Sequence, residues 1–458
     1  MTAAGHPAAG ADAGADAASV SHRAILRIAV PVMLSNLSTP LLGLVDLAVI
    51  GRLPDPAYIG AVALGALIFS FVFWGFGFLR MGTTGLTAQA LGAGDAAEVR
   101  AGLGRALLIA AVIGLGLIAL QWPIGAVAFA LLDGSAKVEA LAHDYFAVRI
   151  WAAPATLANY ALLGWFIGLG RARTALALQL LLNLANMLLD LLFVLGLGLG
   201  VAGVAAGTLI AEMLAAAAGL VAARRLLREA GGRVSWPALL ERAQLRRALA
   251  VNRDIMIRTL ALILVFVWFT AQGARQGDVL LAANAVLMQF VGVAAYFLDG
   301  VAFATEALVG RAAGAAQRAL LRLALRRTTL WAAALALAAS LAFALLGPAL
   351  IDLLSVDPGV RLAARRYLPW AALAPLAGVW SFQLDGAFIG ATRTADMRNA
   401  MLQSLALFLI GWWLLRPLGN HGLWAALFVS YAARTLTLWR YLPALLGAVP
   451  TPAAAPPR

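Results

Sequence analysis

Residues 24–50 read AILRIAVPVMLSNLSTPLLGLVDLAVI. The run is long and apolar enough to cross a bilayer, which takes roughly 20 residues as a helix. Pro31 and Pro40 sit inside it, and each removes a backbone donor and favours a bend. Asn36, Thr39, Gly43 and Asp46 follow at spacings of three, four and three, so they share one helical face. A carboxylate at membrane depth costs roughly 2.5–3.5 kcal/mol on insertion scales and normally faces protein or a wet cavity. Asp46 is therefore a candidate functional residue. The alternative is an acid neutralised by a structural partner.

The rest of the chain has the same character. Of its 458 residues, 63% are hydrophobic and 12% charged, against about 25% charged in soluble domains. Only helices and closed barrels satisfy their backbones in lipid, and the short alternating segments of a barrel are absent. The composition predicts an all-α membrane protein. Apolar runs place twelve transmembrane helices at 24–50, 57–90, 100–122, 139–168, 173–196, 201–228, 248–274, 279–310, 319–345, 359–390, 395–417 and 422–447.

The net charge of +13 does not point to nucleic acid, because the arginines cluster in alternate short loops. Arg100, Arg171, Arg224, Arg228, Arg318, Arg327 and Arg393 belong to the rich set. The positive-inside rule assigns that set to the cytoplasm. Both termini are then cytoplasmic and the membrane is the cell's inner, or plasma, membrane. With no cysteine, disulfides, thiol catalysis and thiolate metal sites are excluded. His6, His22, His143 and His421 lack partners at ligand spacing, so no metal and no cofactor is expected. No GxxxxGK[ST] stretch and no nucleophile–base arrangement occurs, so neither a nucleotide-driven pump nor an enzyme is expected.

The chain repeats itself. GWFIGLGRART from Gly164 aligns with GAFIGATRTA from Gly386, and Tyr145 with Tyr367 and Gly92 with Gly314 keep the same offset of 222 residues. Six helices per half is an even number, so both halves enter the membrane the same way. They are expected to be related by a pseudo-twofold axis along the membrane normal, with binding near the interface of the repeats. The expected layout is a flexible N-terminal tail (1–21), an N-lobe (22–228), a cytoplasmic linker (229–247), a C-lobe (248–447) and a flexible C-terminal tail (448–458). The first tail has no basic n-region and no apolar core, so it does not read as a signal peptide.

A second intramembrane acid lies in the first half. Asn183, Asn186 and Asp190 form one polar stripe on an otherwise leucine-rich helix, and Thr208 is on the next. Two carboxylates in one low-dielectric site cannot both ionise cheaply, so a proton is shared or a cation binds between them. A structural hydrogen-bond network is the competing reading. In the second half, Tyr296, Asp299 and Glu306 share a face, Asp385 lies in span ten and Arg258 in span seven. Pairing of Arg258 with one of these acids and a direct role in function are both open. Asn252, Arg253 and Asp254 read as the cap of span seven, and Trp412 and Trp413 beside Arg416 as an interfacial belt.

NRDIMIRTL from Asn252, AANAVLMQF from Ala282, LDGVAFATEALVGRAAGA from Leu298 and LDGAFIGATRTADMRNAM from Leu384 resemble the multidrug and toxic compound extrusion (MATE) family, and within it the DinF-like branch. The resemblance covers about residues 22–445. It implies a monomeric, cation-coupled antiporter that exports amphipathic or cationic small organic molecules by alternating access. Membrane lipids are its other expected partners. By the same resemblance Asp46, Asn186, Asp190 and Thr208 form the cation-coupling site, and Pro31 is where the first helix bends. Asn159 lines the substrate cavity, for which Asn36, Asn183, Tyr296, Asp299, Glu306 and Asp385 are further candidates. The DinF likeness favours protons over sodium ions. A lipid-linked oligosaccharide flippase is the alternative within the superfamily; it calls for several arginines at membrane depth, and Arg258 is the one candidate the sequence offers.

Overall fold

A chain in lipid must hydrogen-bond its own backbone, and every regular element among the residues described is helical. The computed structural model describes residues 20–131, 135–229 and 236–449. The expected tails fall almost wholly outside these residues, as does 230–235 of the expected linker. The helices are α1 His22–Ile50, α2 Ala57–Gly75, α3 Phe78–Gly92, α4 Ala96–Ala119, α5 Gln121–Leu131, α6 Ala136–Arg149, α7 Ala153–Gly168 and α8 Ala172–Asp190. They continue as α9 Gly200–Glu229, α10 Trp236–Leu239, α11 Arg242–Ala274, α12 Asp278–Gly314, α13 Arg318–Leu354, α14 Pro358–Gly390, α15 Thr394–Leu415 and α16 Asn420–Gly447.

Among the described residues, eleven helical stretches are long and apolar enough to cross a membrane, and they coincide with the first eleven expected spans. The twelfth, α16, has 28 residues but carries His421, Arg434 and Arg440, which lower its apolarity. Three details differ from the sequence reading. Span two is broken at Phe76 and Gly77, between α2 and α3, where Gly75 and Gly77 weaken a helix. The loop after span three contains α5, whose 11 residues are too few to cross.

The third difference corrects the expected cap of span seven. Its helix begins at Arg242, so Asn252, Arg253 and Asp254 lie well inside it. The strong helix formers of RAQLRRALA carry the helix beyond the apolar run. Asn252 instead faces Gly82, whose added Cβ would lie 2.3 Å from the Asn252 Oδ1. Arg253 pairs with Asp254 at 3.0 Å.

The helices form two units. The first comprises Pro31–Thr87 and Asp95–Met256; the second comprises Met1–Val30, Ala88–Gly94 and Ile257–Arg458. The boundary in α1 therefore falls at Pro31. In the first unit α4 packs on α7, α8 on α9, and both α2 and α9 on α6. In the second, α12 and α13 pack on α14 and α15 packs on α16, around Phe269, Phe290, Phe343, Phe408 and Trp424.

The sequence repeat is expressed as repeated contacts. In the first unit, a Cβ at Gly164 would lie 2.3 Å from the Arg80 carbonyl oxygen and one at Gly168 2.7 Å from that of Thr84. In the second, Gly386 meets the Ala302 carbonyl oxygen at 2.6 Å and Gly390 that of Glu306 at 2.4 Å. All eight positions keep the offset of 222 residues. Small residues four apart let two membrane helices touch backbone to backbone, which is why these glycines recur. Helix ends repeat as well. Gly94 and Gly170 have φ of 71°, while their mates Ala316 and Thr392 hold the same left-handed conformation at 55° and 51°.

Candidate functional site

Asp46 sits in the last third of α1 and Asp190 at the end of α8, just before a π-helical turn at Leu191–Gly196. Asp190 and Asn186 are fully buried, Asn183 is 2% exposed, and Asp46 is half-buried. The two carboxyl groups meet side chain to side chain. The contact is a hydrogen bond only when a proton lies between them. Counted as carboxylates, Asp46 Oδ1 and both oxygens of Asp190 receive no donor among the described residues, and the Asn186 amide has no partner among them either. No arginine or lysine forms an ion pair with Asp46 or Asp190 among the described residues. Carboxylate and amide oxygens are chemically able to share a proton or to coordinate a small cation.

Local packing holds the pair in place. Gly207 on α9 leaves room for the Asp190 carboxylate: a Cβ there would lie 2.3 Å from Asp190 Oδ1. Asn183 donates to Ser38 Oγ at 2.7 Å and accepts from Gln179 at 3.1 Å, tying α8 to α1. Thr208 donates to the Val204 carbonyl at 3.0 Å, so its oxygen keeps its acceptor capacity. A Cβ at Gly43, one turn before Asp46, would meet no atom within 4 Å. The face of α1 that carries Asp46 is therefore not sealed by packing. Asn36 is half-buried and Pro31 buried, both on α1.

Three residues here were not singled out for function from the sequence. Tyr145, buried on α6, lies within electrostatic reach of Asp46, Asp190 and Arg149. Arg149 pairs with Glu212 of α9 at 3.5 Å and stands over the rings of Phe69 and Phe73 at 5.5 and 5.4 Å. Asn159, expected in a substrate cavity, is 7% exposed. It donates to Glu212 Oε2 at 2.7 Å and to the Glu212 carbonyl at 3.0 Å. The available signal was spacing: Arg149 is four residues after Tyr145, and Glu212 four after Thr208.

In the second unit the acids have cationic neighbours. Asp385 accepts from Arg258 and from Arg434, whose Nε lies at 3.2 Å, and all three residues are nearly buried. Of the two readings left open for Asp385, its geometry is that of pairing. Glu306 is 2% exposed and acts electrostatically on Arg258, as does the half-buried Asp299. Tyr296 is half-buried one turn before Asp299. Arg434, in the last helix, was not anticipated as a partner.

A repeated pair of halves, each built of membrane-length helices, is the architecture of many membrane transporters. The MatE family model matches residues 31–192 and 255–417, and the chain belongs to the MatE family. It is 42% identical to DNA damage-inducible protein F of Escherichia coli K12 over 92% of both chains. It is 30% identical to a probable multidrug resistance protein NorM of Caulobacter vibrioides, over 64% of this chain and 62% of that one. Among solved structures, a MATE protein in the bent conformation matches with a TM-score of 0.83 at 19% identity, covering 93% of this chain and 95% of that one. A Vibrio cholerae MATE transporter matches with a TM-score of 0.81 at 21% identity, covering 95% and 98%.

Proposed function

We propose that the protein is a proton-coupled antiporter that exports amphipathic or cationic organic compounds. The observation that carries this reading is the Asp46–Asp190 contact, with which no arginine or lysine forms an ion pair among the described residues. Two carboxyl groups in contact hold one proton between them and repel each other when it leaves. Loading the proton draws α1 and α8 together; unloading separates them. Pro31 supplies a point in α1 where the backbone ladder is interrupted. The resemblance to multidrug transport proteins supports the substrate class. The arginine distribution supports an inner-membrane placement with both termini cytoplasmic.

The energetics suffice. One charge moving down about 100 mV releases roughly 2.3 kcal/mol, and a tenfold gradient costs about 1.4 kcal/mol. One proton therefore sustains a gradient of about fiftyfold for a neutral substrate. A sodium ion is the second reading, for which the family resemblance offers the neutral oxygens of Asn186 and Thr208 beside the two carboxylates. For a lipid-linked oligosaccharide flippase the buried cations Arg258 and Arg434 are unsuited, both being committed to Asp385.

Transport in liposomes tests the reading. Efflux of a fluorescent organic cation is driven first by an imposed proton gradient and then by an imposed sodium gradient. The proposal requires proton-driven efflux that is lost in Asp46→Asn. Efflux driven by sodium alone transfers the assignment to sodium, and unchanged efflux in Asp46→Asn removes Asp46 from coupling.

A further inference from the structure

A second feature of the first unit concerns the membrane itself. Helices α4 and α9 both pack against α7, and a groove of about 410 Å³ runs between them. Its walls are apolar: Leu103 and Leu107 on one side, Leu220 on the other. One end carries three arginines, Arg100 from α4 and Arg224 and Arg228 from the last turns of α9. Arg100 is 8% exposed, and Arg224 and Arg228 are exposed. Among the described residues no carboxylate lines the groove. The nearby Glu98 is committed to Arg105.

Two more observations fix the level of this groove. Leu239 of α10 seats on Gly104, which also lines the groove, and Arg105 donates to the Ala238 carbonyl at 2.9 Å. The same short helix presents Trp236 at 75% exposure, as aromatic residues do at the headgroup level. The repeat supplies the contrast. Arg100 has a mate in Arg322, but Arg224 and Arg228 correspond to Leu446 and Pro450. The basic groove thus belongs to one half alone and is not a requirement of the repeated architecture.

We propose that this groove binds an anionic phospholipid of the arginine-rich leaflet. The phosphate sits among Arg224, Arg228 and Arg100, and an acyl chain lies along Leu103, Leu107 and Leu220. Basic pockets between membrane helices are suited to anionic headgroups. The leucine walls distinguish a lipid from a free anion, which has nothing to bury against them.

The test uses the full chain purified in a neutral detergent, with thermal unfolding read against added phosphatidylglycerol, phosphatidylcholine or inorganic phosphate. Phosphatidylglycerol is expected to stabilise at lower concentration than phosphatidylcholine, and inorganic phosphate not at all. In the R224Q/R228Q variant the phosphatidylglycerol affinity should fall about thirtyfold, equivalent to about 1 kcal/mol per arginine. R225Q removes one positive charge, half of that lost in the double variant, from an exposed neighbour that does not line the groove, and should leave affinity unchanged. Equal loss in R225Q, unchanged affinity in R224Q/R228Q, or stabilisation by phosphate alone would overturn the proposal. A wild-type arm stands without variants: native mass spectrometry from an equimolar lipid mixture should retain phosphatidylglycerol in excess, and equal retention would refute the site.

Discussion

Gly207→Ala reaches the acid pair without altering any ionisable group. The added Cβ would lie 2.3 Å from Asp190 Oδ1 and 3.4 Å from the Asp190 nitrogen. Ordinary contact between such atoms begins near 3.4 Å, so the carboxylate must retreat by about 1 Å. Asp190 is fully buried, and the displacement changes where its carboxyl stands against Asp46. Overpacking of this kind costs typically 1–3 kcal/mol, a loss that leaves a folded protein. What fails is coupling: the driving force of about 2.3 kcal/mol per charge at 100 mV no longer reaches the substrate, and the sustained gradient falls from about fiftyfold towards unity. The assay is steady-state accumulation of a fluorescent substrate in everted vesicles, normalised to folded protein. Gly43→Ala is the control. It lies one turn from Asp46 but its Cβ meets nothing within 4 Å, so transport should persist. Full accumulation in Gly207→Ala, or equal loss in Gly43→Ala, refutes the reasoning.

Ala316→Gly should raise stability by about 0.5–1 kcal/mol, because a left-handed residue costs roughly 1–2 kcal/mol and glycine returns part of that as entropy. Gly94→Ala, at the matching helix end, should lower it by a similar amount, and thermal unfolding in detergent reads both. Asp385→Ala removes the carboxylate that both Arg258 and Arg434 pair with, for which breaking buried pairs suggests a loss of about 3 kcal/mol; an unchanged unfolding temperature would contradict a stabilising role for this pairing. Outside the spans, the hydrogen bond from Lys137 and that from the Ala57 N–H at 2.9 Å hold the Asp55 carboxyl below its ordinary value. A depressed folded value contributes stability that is constant above the ordinary carboxylate range and is lost as pH falls through the depressed value. The difference in unfolding temperature between wild type and Asp55→Asn should therefore be flat above about pH 4 and shrink below it, and added salt should reduce it throughout.

The spans were legible because lipid imposes a length and an apolarity on each helix, and the constant 222-residue offset tied their order to a repeat. The meaning of Gly164, Gly168, Gly386 and Gly390 was half visible: spacing showed that they recur, while only the fold shows which carbonyls they admit. Periodicity put Asp46 and Asp190 on polar faces of their helices, and it was the family resemblance that grouped them in one site. Periodicity names a face but not the partner across from it. Glu212 meets Asn159 from 53 positions away and Arg258 meets Asp385 from 127, separations that carry no local signal. The start of α11 was misplaced for a different reason: an apolar window marks where lipid begins, and the helix-forming residues from Arg242 continue beyond it.

Proton movement during export addresses Asp46 most directly. Liposomes loaded with substrate and a pH-sensitive dye, with equal pH and no sodium on either side, should acidify inside as substrate leaves through the wild-type protein and stay unchanged with Asp46→Asn. Substrate efflux without acidification, or the same acidification in both proteins, would contradict a proton carried by the Asp46–Asp190 pair.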